Sequence, residues 1–179
     1  MITDDRKIRV RVSSTLQIAA CHQGAPMSLI AELERTRDET VRYFNLGQDE
    51  LSLTYGPGKW SVRYVLLHLT HTETTFIERI QRTLSESRPV LWFMQQDSWA
   101  TGLEYDKMPL ELAGPLYEAS RNMIIYYARE YYASRGQLEF IHSVTGLRTL
   151  KDEFDKVAVH NENHLNQIRT ALRATAAAR

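Results

Sequence analysis

The chain has 179 residues, 43% of them hydrophobic and 25% charged, which suits one soluble domain with a sizeable core. Its 22 lysines and arginines balance 22 aspartates and glutamates, so it offers no field to gather nucleic acid or an anionic membrane. One cysteine, Cys21, excludes an intrachain disulfide framework and a thiolate zinc cluster; any metal site must be built from carboxylates and the six histidines His22, His68, His71, His142, His160 and His164.

The first residues, Met1-Ile2-Thr3-Asp4-Asp5-Arg6, lack the basic-then-apolar order of a secretory signal. No apolar run approaches the roughly 20 residues of a membrane span. A cytoplasmic protein is expected. Lys7-Ile8-Arg9-Val10-Arg11-Val12 alternates basic and apolar residues like a strand, with no clear partner strand. It reads as a dangling arm, a small hairpin with Thr15 to Ala20, or an edge lent to another subunit. Residues 1–26 form an extension, and the domain proper occupies residues 27–179.

From Ser28 to about Asn45 the positions of Leu29, Ile30, Leu33, Val41 and Phe44 predict a helix. The breaker Tyr55-Gly56-Pro57-Gly58-Lys59 ends that region. Ser61 then reads as an N-cap, with Trp60 and Val65 as a hydrophobic staple, opening a second helix to about Ser85. A third helix starts at Pro109 or Pro115 and ends near Gly136, with a break or kink expected at Gly114-Pro115. Leu116, Ala119, Met123, Tyr127 and Tyr131 are its expected inner face. The fourth helix starts at Thr149, with Asp152 completing a capping-box-like pair, and runs to the alanine-rich end.

Four helices of about 18 to 28 residues, without a convincing strand ladder, predict an all-α four-helix bundle. The connection from Ser87 to Met108 is long for such a fold and carries Trp92, Phe93, Trp99 and Tyr105. It reads as an ordered cover over one end of the bundle.

His160 and His164 stand four apart on the fourth helix, a turn from each other on one face, as two imidazoles chelating one cation would. At about 100° per residue, His164 lies about 60° and His160 about 100° from the centre of the apolar stripe. On the second helix His68 lies about 100° from its stripe and faces a groove towards the fourth helix, whereas His71, about 160° away, is expected in solvent. Glu73 lies only about 35° from that stripe, where an unpaired carboxylate is costly. It either orients a ligand histidine or makes a structural hydrogen bond to backbone or to a tryptophan N–H.

Gly58-Lys59-Trp60-Ser61-Val62, His68-Leu69-Thr70-His71-Thr72-Glu73 and His160-x-x-x-His164-Leu165-x-Gln167-Ile168 together resemble the DinB-like (YfiT-related) superfamily over about residues 28–172. The resemblance implies a four-helix bundle holding a divalent metal on His68, His160 and His164; imidazole ligands suit zinc, nickel, copper or iron(II), and zinc or nickel is expected. Gln96-Asp97-Ser98-Trp99 is similar to a family segment that approaches the metal side, and makes Asp97 a candidate beside Glu73 for a catalytic role. Three neutral imidazoles leave a coordination position free, as catalytic sites do.

By resemblance the leading expectation is transfer of a low-molecular-weight thiol to a small electrophile, with Trp92 and Trp99 shaping the pocket. The alternatives are a metal-dependent hydrolase, with Glu73, Glu162 or Asp97 as base, and a noncatalytic metal- or partner-binding bundle. A small-molecule substrate and a homodimer are expected, with no nucleic acid and no membrane. Cys21, His22 and His142 read as bystanders, His142 as a packed or surface residue.

Overall fold

The computed structural model describes residues 26–176. Its elements are α1 (Met27–Tyr43), α2 (Gln48–Leu51), α3 (Val62–Ser85), β1 (Val90–Leu91), α4 (Gln96–Gly102), α5 (Leu110–Arg135), β2 (Glu139–His142), β3 (Gly146–Thr149) and α6 (Leu150–Ala176). The expected strand-like arm and the Cys21-His22 pair lie outside the described residues.

The four long helices make the expected bundle. Helix α3 packs chiefly on α5 and α6, and α1 packs on the same two, while α1 and α3 barely touch. The first two long helices therefore stand on a diagonal, with α5 and α6 between them. None of the described helices is long and apolar enough to cross a membrane.

Local chemistry sets the helix starts. The Ser61 side chain accepts the Tyr64 backbone N–H at 3.3 Å. Trp60 and Val65 share one apolar cluster, as the staple requires. Gly58 supplies the turn before it with φ +67°, a backbone conformation costly for other residues. At the start of α6 the Asp152 carboxylate accepts the Thr149 backbone N–H at 2.9 Å, and the Thr149 hydroxyl receives the Asp152 N–H in return.

Two expectations for the third helix need correction. Helix α5 does not break at Gly114-Pro115; it runs on with Pro115 inside it. Pro115 is the sixth residue of α5, past the four N–H groups that a helix start leaves free, so the helix runs on without the bond that residue 115 would give to the Glu111 carbonyl. Gly114 is where Phe44 closes on α5: a Cβ there would stand 3.2 Å from the Phe44 ring. The inner face is also rotated by about one residue. Tyr117, Ser120, Arg121, Ile124, Ile125 and Ala128 are buried, whereas Leu116 and Met123 are exposed. An arginine and a serine occupy the interior face, so following apolar residues alone points to the wrong side.

A small ladder also forms where none was expected. Strand β1 pairs parallel to β2, and β2 antiparallel to β3, with Phe140 opposite Arg148 and His142 opposite Gly146. Phe140 and His142 face inward. The Ser87–Met108 connection is ordered into β1 and α4, and Tyr105 is fully buried, but Trp92 is 76% exposed. Arg79 fastens it: its side chain pairs with Glu153 of α6 at 3.1 Å and donates to the Trp92 carbonyl at 2.5 Å.

Apolar clusters fill both ends of the bundle. One gathers Leu33, Phe76, Ile80, Ile124 and Phe154; the other Val65, Leu66, Leu69, Tyr117 and Ile168. Between them runs a polar layer. The Arg121 guanidinium grips Glu73 with two bonds of 2.8 and 2.6 Å, and both side chains are 0% exposed. The same guanidinium donates to the Leu33 carbonyl and the Thr36 hydroxyl of α1. Tyr117 donates to Asn161 of α6 at 2.8 Å, and the Asn161 amide donates to Thr40 of α1 at 3.2 Å.

Removing one member of a buried ion pair strands the other charge, at about 3–5 kcal/mol. Glu73→Gln and Arg121→Met should each lower unfolding free energy by that order in urea titrations, and the Glu73→Leu, Arg121→Met double variant should recover much of it. A double variant as unstable as the sum of the singles contradicts this account.

Candidate metal centre

The cap at Ser61 and the box at Thr149 fix where α3 and α6 begin, and so which residues meet across their interface. His68, two turns into α3, is buried. It faces His160 and His164, half-buried on α6. The Nε2 atoms of His68 and His160 are 3.2 Å apart, as are those of His160 and His164. The ligand atoms of all three lie within 4.8 Å of one another. Trp60 meets the His68 ring edge-on at 5.1 Å, and Phe76 meets His160 at 5.6 Å, so aromatic walls restrict both rings.

Burial pushes the His68 pKa down to about 3, with the facing His164 adding to the effect. It pushes His160 well below its ordinary range and lowers His164 as well. The three rings are therefore neutral near pH 7. The tautomer of His164 follows from its partner. Its Nδ1 lies 2.8 Å from the Gln167 side-chain oxygen, which can only accept, so Nδ1 carries the proton and Nε2 a lone pair. The Nδ1 atoms of His68 and His160 are buried with no hydrogen-bond partner among the described residues.

This donor set fits a divalent cation. Three neutral imidazoles whose Nε2 atoms meet can all turn a lone pair to one cation, with the His68 and His160 protons then on Nδ1. Tetrahedral ligands at Zn–N distances of about 2.0–2.1 Å sit about 3.3 Å from each other, close to the two 3.2 Å separations here. Gln167 stands where the partner of a ligating histidine belongs, fixing ring orientation and tautomer.

The other candidates separate from this cluster. Glu73 meets neither a histidine nor a backbone or tryptophan N–H; its partner is Arg121, and its carboxylate is spent there. Glu162 is engaged by Arg169 at 2.6 Å and by Arg35. Asp97 is exposed in the first turn of α4 and outside the cluster. His71 does not stand free in solvent, because the connection folds over it: its Nδ1 lies 2.7 Å from the Tyr105 hydroxyl and its ring meets Trp99 at 5.8 Å. Burial lowers its pKa and raises that of Tyr105 to about 12. His142 is buried in β2, as a packed residue. Reading the sequence missed Arg121 as partner of Glu73. The signal was there: a carboxylate on an apolar stripe needs a cation, and Arg121 is four residues beyond Tyr117 on α5.

Comparison with known proteins agrees with this arrangement. Residues 32–168 match the DinB_2 family, described as the DinB superfamily. A relative from Oceanobacillus iheyensis, "Putative metal-dependent hydrolase OB0413", is 26% identical over 134 residues, 75% of this chain and 76% of its own. Another from Halalkalibacterium halodurans, "Putative metal-dependent hydrolase BH0277", is 24% identical over 128 residues, 72% and 74% of the two chains. Among solved structures, YfiT from Bacillus subtilis, described as "a probable metal-dependent hydrolase with an unusual four-helix bundle topology", superposes with a TM-score of 0.76 at 18% identity. That match covers 83% of this chain and 86% of that one.

Gln167→Leu should weaken zinc binding by about 10–100-fold, the usual cost of losing a ligand's orienting partner, as read by competition with a chromogenic chelator. Unchanged affinity would remove Gln167 from the site. Acid should also unfold the metal-free protein early. The unfolded chain protonates these imidazoles below about pH 6.5 while the fold holds them neutral, so it binds more protons and stability falls with pH. Each imidazole costs up to about 1.4 kcal/mol per pH unit in that window, which for His68 extends down to about pH 3. Urea titrations at pH 7 and pH 5 should show a shallower decline for His68→Gln than for the wild type.

Proposed function

The chain belongs to the DinB superfamily, and from that premise we propose that it is a metal-dependent hydrolase acting on a small molecule. The observation that carries the reading is the convergence of three imidazole Nε2 atoms at 3.2 Å contacts on the rim between α3 and α6. His68, His160 and His164 would hold the ion. A divalent ion so held supplies Lewis acidity and lowers the pKa of a coordinated water, more effectively because neutral ligands leave its charge uncompensated.

The chain's own groups do the rest. Gln167 keeps the His164 proton on Nδ1, so that Nε2 stays a donor towards the centre. Trp60 and Phe76 hold the other two rings in place and exclude water from behind them. The polar layer holds α3, α5, α6 and α1 in one register beneath the site. With its carboxylate spent on Arg121, Glu73 is not the proton-transfer group. The names of the relatives support hydrolysis. A thiolate would take the same seat, so the thiol transfer implied by the resemblance differs in nucleophile rather than in ligands.

Untagged protein should carry about one divalent ion per chain by elemental analysis. A panel of ester, amide and phosphoester substrates, run beside thiol–electrophile pairs, should give metal-dependent hydrolysis. His160→Ala, His164→Ala protein should lose at least about 100-fold of it. Turnover only in the thiol arm would replace hydrolysis by transfer, and activity surviving in the double variant would refute the site.

A further inference from the structure

A groove of about 530 Å³ is lined by His160, Val159 and Lys156 of α6 and by His142, Thr145 and Arg148 of the β2–β3 hairpin. His142 is only 5% exposed, and its two nitrogens are in different situations. Its Nδ1 accepts the backbone N–H groups of Val144 and Thr145 at 3.3 and 3.2 Å, which fixes the lone pair on that atom. The ring proton is therefore on Nε2, and this buried donor has no partner among the described residues. Unmet donors in an interior are uncommon and costly, and this one is free to bond an incoming oxygen.

The charges around it are unevenly matched. Lys156 and Arg148 also line the groove, and neither is ion-paired among the described residues; Arg148 makes only a bond to the Thr145 hydroxyl. The carboxylates nearby are already engaged. Glu153 is paired with Arg79, Asp155 with Lys151, and Asp152 caps the first turn of α6 through Thr149. Two cations outside any ion pair among the described residues, Lys156 lying also over the Phe76 ring, thus share one groove with an unpartnered N–H and a candidate metal ligand.

We propose that this groove is an oxyanion subsite, in which His142, Lys156 and Arg148 bind a carboxylate or phosphate of the substrate while its reacting end lies at His160. The substrate of this chain is then an anionic small molecule with its charged group remote from the bond that breaks. Only the placement of the reacting end rests on the hydrolytic reading; the anion site stands on its own residues.

Metal-free protein, stripped with chelator and labelled with 15N-histidine, separates the two. It is titrated with inorganic phosphate in one arm and acetate in the other at pH 7.5 and constant ionic strength. The His142 Nε2 resonance should shift saturably in at least one arm, and the responding arm identifies phosphate or carboxylate. Lys156→Gln and Arg148→Gln, both at exposed positions, should each weaken that binding at least about fivefold, and Lys107→Gln on a distant surface should leave it unchanged. An unmoved His142 resonance in both arms, or affinities unaltered in Lys156→Gln and Arg148→Gln, overturns the subsite. Neither outcome bears on metal-dependent hydrolysis, which fails if the metal-loaded protein hydrolyses none of the ester, amide and phosphoester panel.

Discussion

The fold is organised around an ion pair that has no access to water. Glu73 and Arg121 are both fully enclosed, so their charges can be tolerated only in the geometry that lets them meet. That requirement fixes α3 against α5, and the further bonds from Arg121 to Leu33 and Thr36 fix α1 against both. Tyr117, Asn161 and Thr40 extend the constraint to α6. Apolar side chains would pack these helices in several nearly equivalent rotations; a bidentate salt bridge accepts one. The histidines need that selectivity, because a slip of one residue turns a helix by about 100° and carries an Nε2 atom out of the cluster.

The ion pair and the histidines also divide labour. Glu73 is only five residues beyond His68, and on sequence grounds it competes for a part in the chemistry. The structure gives it a partner on the opposite side of α3 and leaves the imidazoles without a carboxylate among them. The resulting site is electrically neutral in its protein part. Any charge that enters is not cancelled by its ligands, and the groove beyond His160 is bordered by Lys156 and Arg148, which make no ion pair among the described residues, and by carboxylates engaged elsewhere.

Much of this was legible in the residues. Ser61 and the Thr149–Asp152 pair announce two helix starts through the hydrogen bonds they make, and the four-residue spacing of His160 and His164 survives into the structure because helical geometry is rigid. What was not legible depended on contacts distant in sequence. The inner face of α5 was misplaced because Ser120 and Arg121 belong to the interior for reasons that only Glu73 and Thr36 supply. His71 is half-covered because Tyr105 and Trp99 arrive from a connection whose path no periodicity encodes. The strands have two to four residues, too few for alternation to stand out.

The packing of α3 on α6 carries a consequence for how the protein assembles. His68 and His160 are 92 positions apart, and the helices bearing them are neither consecutive nor joined by a short turn. The site is therefore a long-range contact that pays a large loop-closure entropy and completes only when the bundle does. Of its three imidazoles, only His160 and His164 are neighbours on the unfolded chain. A ligand that needs all three recognises the finished tertiary structure, and its binding free energy adds to that of folding.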